Sequence, residues 1–103
     1  MSGNQSSSRL PPGWRLLDDE RIGQYETELQ LEMHSTHPIH GVPVTAVAAH
    51  TMRDDVLFRH REQPDRFTVI HLTWSQKRER PGYPSVEFDG SYSEFLDEYQ
   101  NDG

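Results

Sequence analysis

Cysteine is absent from this chain of 103 residues. Without thiols the protein has no disulfide framework, no cysteine nucleophile and no cysteine-ligated metal. No apolar run approaches the ~20 residues that a membrane-spanning helix needs, and the N-terminus has no apolar signal-peptide core. These absences predict a cytoplasmic protein that makes no contact with a membrane.

Basic residues are few, because ten Lys and Arg stand against seventeen Asp and Glu, for a formal net charge of −7. A phosphate backbone repels such a surface, which disfavours general nucleic-acid binding. A G-x-S-x-G nucleophile elbow and a glycine-rich phosphate loop are also missing. The sequence therefore predicts no cofactor, and an enzyme is less expected than a binding protein.

Hydrophobic residues make up 32% of the sequence, below the usual share of a globular chain. Residues 1–13 are rich in Ser, Asn, Gln, Pro and Gly, and they offer only Leu10 to a core. We predict that they form a disordered tail. Residues 14–103 are then expected to form one small domain with a modest core.

The apolar residues are concentrated in two runs, Asp54–Phe58 and Phe67–Trp74. Their composition predicts β-strands over residues 55–61 and 66–74. Between the strands, Pro64 presets the backbone of a β-turn. The pattern predicts a hairpin with a four-residue loop, central in its sheet because both of its faces are apolar.

The length of the loop determines the register of this hairpin. A four-residue loop places Val56 opposite His71 and Asp54 opposite Thr73. Trp74, at the end of the second strand, is predicted to belong to the core. A loop one residue longer or shorter would exchange the faces of one strand relative to the other.

Two helices are predicted on either side of the strands in sequence. Asp18 suits a helix N-cap, and apolar residues then recur at three- and four-residue steps, which predicts a helix over residues 19–33. Ser91 and Glu94 have the spacing of a capping box, and the apolar stripe after them predicts a helix over residues 92–100.

Two further segments are candidates for strands. Residues 42–50 alternate as a strand does, although their alanines leave a helix as an open alternative. Residues 85–89 form a short alternating run. The expected fold is a single α+β domain with an N-terminal helix, a mostly antiparallel sheet of three to four strands around the central hairpin, and a C-terminal helix.

His71 is a histidine inside an apolar run. In the predicted register it lies diagonally from Asp54, with Thr73 on the same strand. A histidine, a carboxylate and a hydroxyl in contact are the components of an acid–base site. The same three groups are also able to satisfy one another as a buried polar network. Asp54, His71 and Thr73 are the candidates for catalysis.

Three other histidines, His34, His37 and His40, have the spacing H-x-x-H-x-x-H. Imidazoles three residues apart on a helix can share a zinc ion. Pro38 separates the third histidine from any continuous helix, so solvated side chains at a helix exit are the alternative.

Trp14 and Tyr83 lie in segments that are predicted to be irregular. Exposed aromatic side chains often anchor protein interfaces. These two residues are therefore candidates for contact with a protein partner, and a homodimer stays open as one form of that partner.

The two apolar runs resemble a motif pair of small bacterial proteins of uncharacterised function. In those proteins a D-D-V-L-F strand, here residues 54–58, precedes a V-H-L-T-W strand, here residues 69–74. The segment His37–Gly41 is similar to their H-P-L-x-G segment. The resemblance spans roughly residues 22–96 and implies a bacterial, intracellular, single-domain protein, but it implies no activity, cofactor or catalytic residue.

The preferred expectation is a non-enzymatic protein-interaction module with an acidic surface. One alternative is a small enzyme or ligand-binding domain around His71, Asp54 and Thr73, and another is a metal-binding protein that uses the three spaced histidines. The surroundings of His71 discriminate between the first two. An open cleft at His71 favours the ligand site, whereas enclosure in the core with its hydrogen bonds made there excludes it.

Overall fold

A computed structural model describes residues 10–80 and 83–100. Within these ranges the chain forms two helices and one antiparallel sheet of five strands. In chain order the elements are β1 (Trp14–Leu16), α1 (Asp19–Glu32), β2 (Val44–His50), β3 (Asp55–His60), β4 (Phe67–His71), β5 (Ser85–Gly90) and α2 (Tyr92–Tyr99). The α+β prediction is confirmed, but the sheet has five strands rather than three to four.

Each strand of the sheet pairs with its neighbours in sequence, in the order β1-β2-β3-β4-β5. β3 is therefore the middle strand and β4 lies between two partners, which confirms that the hairpin is central. Residues 42–50, left open between strand and helix, form a strand from Val44 to His50. Neither helix of the described residues is long and apolar enough to cross a membrane.

Strand β1 is the element that the sequence pattern did not predict. It has three residues, and Trp14 pairs with His50 of β2. Gly13 precedes it with a φ of +86°, and a Cβ at that position would lie 2.6 Å from His50 Nε2. Glycine is therefore required where the chain enters the sheet. Three residues are too few for an alternating pattern to be recognised.

The predicted caps begin both helices. Asp18 Oδ1 accepts a hydrogen bond from the Arg21 N–H at 2.9 Å. Ser91 and Glu94 form the complete capping box, in which each side chain accepts from the backbone N–H of the other residue. These signals are local, because each cap depends on a few adjacent residues and on no tertiary contact.

Apolar side chains cover both faces of the sheet, so the domain has three layers. α1 packs on one face, in the cluster that contains Leu29, Met33, Ile39, Val44, Ala46, Val56, Phe58, Ile70 and Leu72. α2 packs on the other face, in the cluster that contains Trp14, Ala48, Leu57, Phe67, Val69, Phe95 and Tyr99. Successive residues of β3 and β4 alternate between the two clusters, as the pleat of a strand requires.

The register of the β3–β4 hairpin differs by one residue from the prediction. Asp55 pairs with His71 and Val56 with Ile70. The His60 N–H donates to the Arg66 carbonyl at 3.0 Å, so residues 61–65 connect the strands. That connection is one residue longer than predicted, which changes the side chains that share a face with His71.

Trp14 is buried, which corrects the prediction that it lies on the surface. Its side chain is 6% exposed. It makes edge-to-face contacts with Phe95 and Tyr99, with ring centroids 5.1 and 5.4 Å away. Trp14 is therefore part of the core beneath α2 and does not anchor an external partner, whereas Tyr83 is 41% exposed.

Trp74 is 37% exposed, which corrects the prediction that it belongs to the core. β4 ends at His71, and Trp74 has a φ of 59°. The strand thus ends three residues before the tryptophan, and the backbone of Trp74 itself is left-handed rather than extended.

Of the predicted tail over residues 1–13, residues 1–9 lie outside the described residues. Leu10 packs against the core cluster beneath α2. The Gly13 carbonyl accepts a hydrogen bond from the Thr51 N–H at 2.8 Å. The described part of the chain is thus in contact with the domain from Leu10 onward.

Candidate functional site

His71 lies at an open cleft, where it is the last residue of β4. Its side chain is 46% exposed. The cleft, called the His71 cleft below, has a volume of about 390 Å³ and is lined by Arg53, Asp55, His71, Glu87 and Tyr99. An open cleft is the arrangement that favours a ligand site over a satisfied core histidine.

Asp55 orients the imidazole of His71. The two residues are register partners on β3 and β4, and His71 Nδ1 lies 2.7 Å from Asp55 Oδ1. The Asp55 side chain is only 8% exposed, and its second oxygen accepts from Arg53 Nε at 3.1 Å. An ionised carboxylate only accepts hydrogen bonds, so Nδ1 of His71 is the donor.

The second ring nitrogen of His71 is available to a ligand. When Nδ1 carries the proton, Nε2 of the neutral ring is an acceptor. No hydrogen bond to Nε2 is found within residues 10–80 and 83–100. An imidazole that is oriented by a carboxylate through one nitrogen and open at the other is the arrangement used for general-base chemistry.

Ser85 completes a row of polar residues across three strands. It is the register partner of His71 on β5, as Asp55 is on β3. However, Ser85 Oγ donates its proton to Glu87 Oε2 at 2.6 Å. The row therefore lacks the serine–histidine hydrogen bond of a nucleophilic triad, so His71 is left to act on a ligand or on water.

Negative charge surrounds the hydroxyl of Tyr99 in this cleft. Burial raises the pKa of Tyr99 to about 12, with further contributions from Asp55, Glu87 and Glu98, while Arg53 acts in the opposite direction. Tyr99 thus stays a neutral hydrogen-bond donor throughout the physiological range. The cleft combines an acceptor at His71 with a donor at Tyr99.

The structure separates the three residues that the sequence proposed as one site. Asp54 is exposed, and its backbone carbonyl accepts from the Leu72 N–H. Thr73 donates its hydroxyl to Glu79 Oε2 at 2.8 Å. The predicted cluster of Asp54, His71 and Thr73 is therefore wrong, and Asp55 is the carboxylate that contacts His71.

With a five-residue loop in place of a four-residue loop, the sequence would have predicted the contact between Asp55 and His71. Asp54 and Asp55 are adjacent, so they point to opposite faces of the strand, and the register decides which one reaches His71. Arg53, Glu87 and Tyr99 come from a loop, a bulged strand and a helix, and no local signal connects them.

His37 has a structural role in place of the predicted metal site. It is 4% exposed. Its Nε2 donates to the Pro84 carbonyl at 2.6 Å, and its Nδ1 accepts from the Ile39 N–H at 3.3 Å. Nδ1 of His34 is engaged with Thr36. Among the described residues, no group of three His, Cys, Asp or Glu side chains could hold a metal ion.

A second polar network lies inside the sheet around His60. Its Nε2 is 2.7 Å from Thr68 Oγ1, which donates to Asp89 Oδ1 at 3.0 Å, and Arg66 binds both oxygens of Asp89. Burial, with a contribution from Arg66, lowers the pKa of His60. His60 is 2% exposed, so the network holds a neutral core histidine through Nε2, while its buried Nδ1 has no hydrogen-bond partner among the described residues.

Glu28 and Glu32 form a buried carboxylate pair in the last turns of α1. They are 3% and 0% exposed, and their side chains are hydrogen-bonded to each other. Acidic groups at the C-terminal end of a helix oppose its dipole, and like charges four residues apart repel. The stability of the helix therefore does not explain why these two acids lie there.

The carboxylate pair binds the backbone that follows β4. Glu32 accepts from the N–H groups of Thr73 and Trp74 at 2.9 and 2.7 Å, and Glu28 accepts from Gln76 at 2.9 Å. Trp74 and Gln76 both have left-handed φ values, of 59° and 62°. The pair thus stabilises an unfavourable backbone conformation in the segment that displays Trp74.

Burial raises the pKa of Glu32 from an ordinary 4.5 to about 7, and the hydrogen bond that protonated Glu32 donates to Glu28 adds to the increase. The N–H groups of Thr73 and Trp74 act in the opposite direction because they stabilise the ionised form. Near neutral pH, Glu32 is therefore partly protonated. The carboxylate oxygens of Glu28 and Glu32 that have identified partners bind groups of the protein itself. The pair therefore has a structural role.

Comparisons of the chain with protein-family models, with curated protein sequences and with solved structures found no match.

Proposed function

We propose that this protein is a small ligand-binding domain with acid–base capacity, in which His71 receives a hydrogen bond or a proton from its ligand. The observation that carries the proposal is the 2.7 Å contact between His71 Nδ1 and the buried Asp55 carboxylate. This contact directs the other nitrogen of a half-exposed ring to an open cleft.

The surroundings of the pair support this role. Asp55 is a negative partner for the imidazolium that forms when Nε2 accepts a proton. Arg53 fixes the second oxygen of that carboxylate, so Asp55 does not need to move during the transfer. Tyr99 supplies a neutral hydroxyl in the same cleft. A ligand with an acidic O–H or N–H beside a hydrogen-bond acceptor fits these groups.

Protein interaction through an acidic surface stays a second candidate. The burial of Trp14 removes one of its two expected anchors, but Tyr83 and Trp74 are both exposed. Both Asp55 and His71 belong to the motif pair that resembles the small bacterial proteins, although that resemblance implies no functional residue.

The reactivity of His71 tests the first proposal. Diethyl pyrocarbonate acylates the unprotonated nitrogen of an imidazole, and we expect His71 in Asp55→Asn to react about tenfold more slowly than in the wild type. The substitution removes a charge-assisted hydrogen bond, whose loss is worth about 1.5 kcal/mol or more. Mass spectrometry of digested protein measures the rate at each histidine.

His40 supplies an internal control, because it is exposed and distant in sequence from Asp55. Its rate should be the same in both proteins. Equal rates at His71 in the wild type and in Asp55→Asn would show that Asp55 does not activate the ring. A fragment screen by NMR then tests binding. Fragments that shift the Tyr99 signals in the wild type should fail to do so in His71→Gln.

A further inference from the structure

We infer that a second cleft, beside Trp74, binds an arginine side chain presented by a protein partner. This Trp74 cleft has a volume of about 310 Å³, and its lining includes Tyr25, Met52, Asp54 and Trp74. The inference goes beyond the ligand site at His71. The two clefts lie on either side of the segment that holds Arg53 and Asp55, which contribute to both linings.

An aromatic pair forms one wall of the Trp74 cleft. The rings of Tyr25 and Trp74 meet edge to face, with centroids 5.1 Å apart. The Trp74 N–H is bound to the fully buried Glu32. This donor is the backbone N–H, so the buried acceptor holds the segment that carries Trp74, and the ring itself rests against Tyr25. A ring that is already packed against a neighbour has less side-chain entropy to lose on binding.

A free carboxylate lies in the same cleft. Asp54 is exposed, and within the part of the chain that the structure describes its side chain makes no hydrogen bond or ion pair. Arg53, the cation in the lining, has its Nε bound to Asp55 at 3.1 Å. The negative charge of Asp54 is therefore available to a ligand.

A guanidinium group matches these two features together. Its planar face stacks on aromatic rings, and its edge donates paired hydrogen bonds to a carboxylate. An ammonium group carries the same charge, but it has no planar face for stacking and no pair of parallel N–H donors, and it is more strongly hydrated. The volume of the cleft is at the lower limit for small-molecule sites, which suits one side chain. A net charge of −7 attracts basic partners.

The rim of the cleft favours a protein partner over free arginine. Met52 is 83% exposed and Trp74 is 37% exposed, and both border the cleft. Exposed aromatic and methionine side chains next to a charged group are typical of protein-interaction surfaces. A partner that inserts an arginine would also cover these apolar groups.

A peptide titration tests the inference. The probe is a nine-residue peptide of serine and glycine with one central arginine, and the readout is the NMR signal of the Trp74 indole. We expect saturable shifts, and about tenfold weaker binding when citrulline, which is neutral and of the same shape, replaces arginine. Equal binding of the two peptides would overturn the inference.

Matched variants place the binding in the cleft. Asp54→Asn should weaken arginine-peptide binding roughly threefold or more, whereas Asp65→Asn makes the same charge change at an exposed turn and should have no effect. Equal weakening by both variants would show general charge attraction and contradict the site. His71→Gln should leave this binding unchanged, which separates it from the proposed function. If N-acetylarginine amide binds as tightly as the peptide, the ligand is a small molecule and the partner is rejected.

Discussion

Replacing Glu32 by alanine is expected to lower the free energy of unfolding by about 3 kcal/mol. The side chain accepts two backbone hydrogen bonds, from Thr73 and Trp74. Each buried N–H group that loses its acceptor costs about 1–3 kcal/mol, and water recovers part of the loss once the segment is released. Urea unfolding at pH 6 measures the change.

Glu20→Ala is the matched control, since Glu20 is an exposed glutamate on the same helix. Its loss should cost less than about 1 kcal/mol, the usual contribution of a charge near a helix end. Hydrogen exchange adds a local readout, because the amides of Thr73, Trp74 and Gln76 should lose protection in Glu32→Ala. A stability within 1 kcal/mol of wild type, together with retained protection of Trp74, would contradict the assigned role.

If the alanine variant does not fold, Glu32→Gln provides a second test of the role of Glu32. The glutamine carbonyl can accept one of the two N–H groups, but its amide nitrogen is a donor and faces the other. We therefore expect an intermediate loss of stability, with protection reduced at either Thr73 or Trp74.

The stability of the protein should fall as the pH rises from about 4.5 to about 7. The pKa of Glu32 is 4.5 in its ordinary state and about 7 in the fold, so between these values the folded protein binds more protons than the unfolded chain. The contribution of Glu32 is complete below pH 4.5 and is lost as the pH rises through 7. The full change is about 3 kcal/mol.

Glu28→Gln should weaken this pH dependence, while the larger part, which is due to burial, remains. The glutamine amide can donate to Glu32, and its carbonyl can still accept from Gln76. A donated hydrogen bond stabilises the ionised form of Glu32, so the variant loses less stability as Glu32 ionises. The unfolding free energies of the variant and the wild type, measured from pH 4.5 to 8, should therefore have different slopes against pH.

The comparison between proteins is needed because His60 titrates in the same range. Burial lowers the pKa of His60, so this residue adds stability as the pH rises toward its ordinary value of 6.5 and partly offsets Glu32. His60 is unchanged in both proteins and cancels in the difference. Parallel pH profiles for Glu28→Gln and the wild type would refute the contribution of Glu28 to the raised pKa of Glu32.

Local sequence signals were sufficient for the helices and for most of the strands. Asp18 and the Ser91–Glu94 box begin the two helices by contacts within one turn. The alternating apolar residues of β3 and β4 predicted a central hairpin. β1 was missed because its three residues form a strand only by pairing with β2.

The buried carboxylate pair had a signal in the sequence that was not used. Glu28 and Glu32 flank the apolar stripe of α1 at positions 29 and 33, and the last turn of the helix has no basic residue. Two acids placed against both the dipole and each other indicate that they accept hydrogen bonds from elsewhere in the fold. The identity of those donors was not predictable, because Thr73, Trp74 and Gln76 are more than 40 positions away.

The sequence by itself determined both helices, the central hairpin and the α+β class, since these depend on caps and periodicity, and it singled out His71 as an unusual residue in an apolar run. Tertiary structure alone decided the surroundings of that histidine. One more residue in the hairpin connection replaced Asp54 by Asp55 as its partner, because a strand changes face at every residue. Tertiary structure also decided that Trp74 is exposed and Trp14 buried, since long-range backbone contacts determine where each chain segment leaves the sheet.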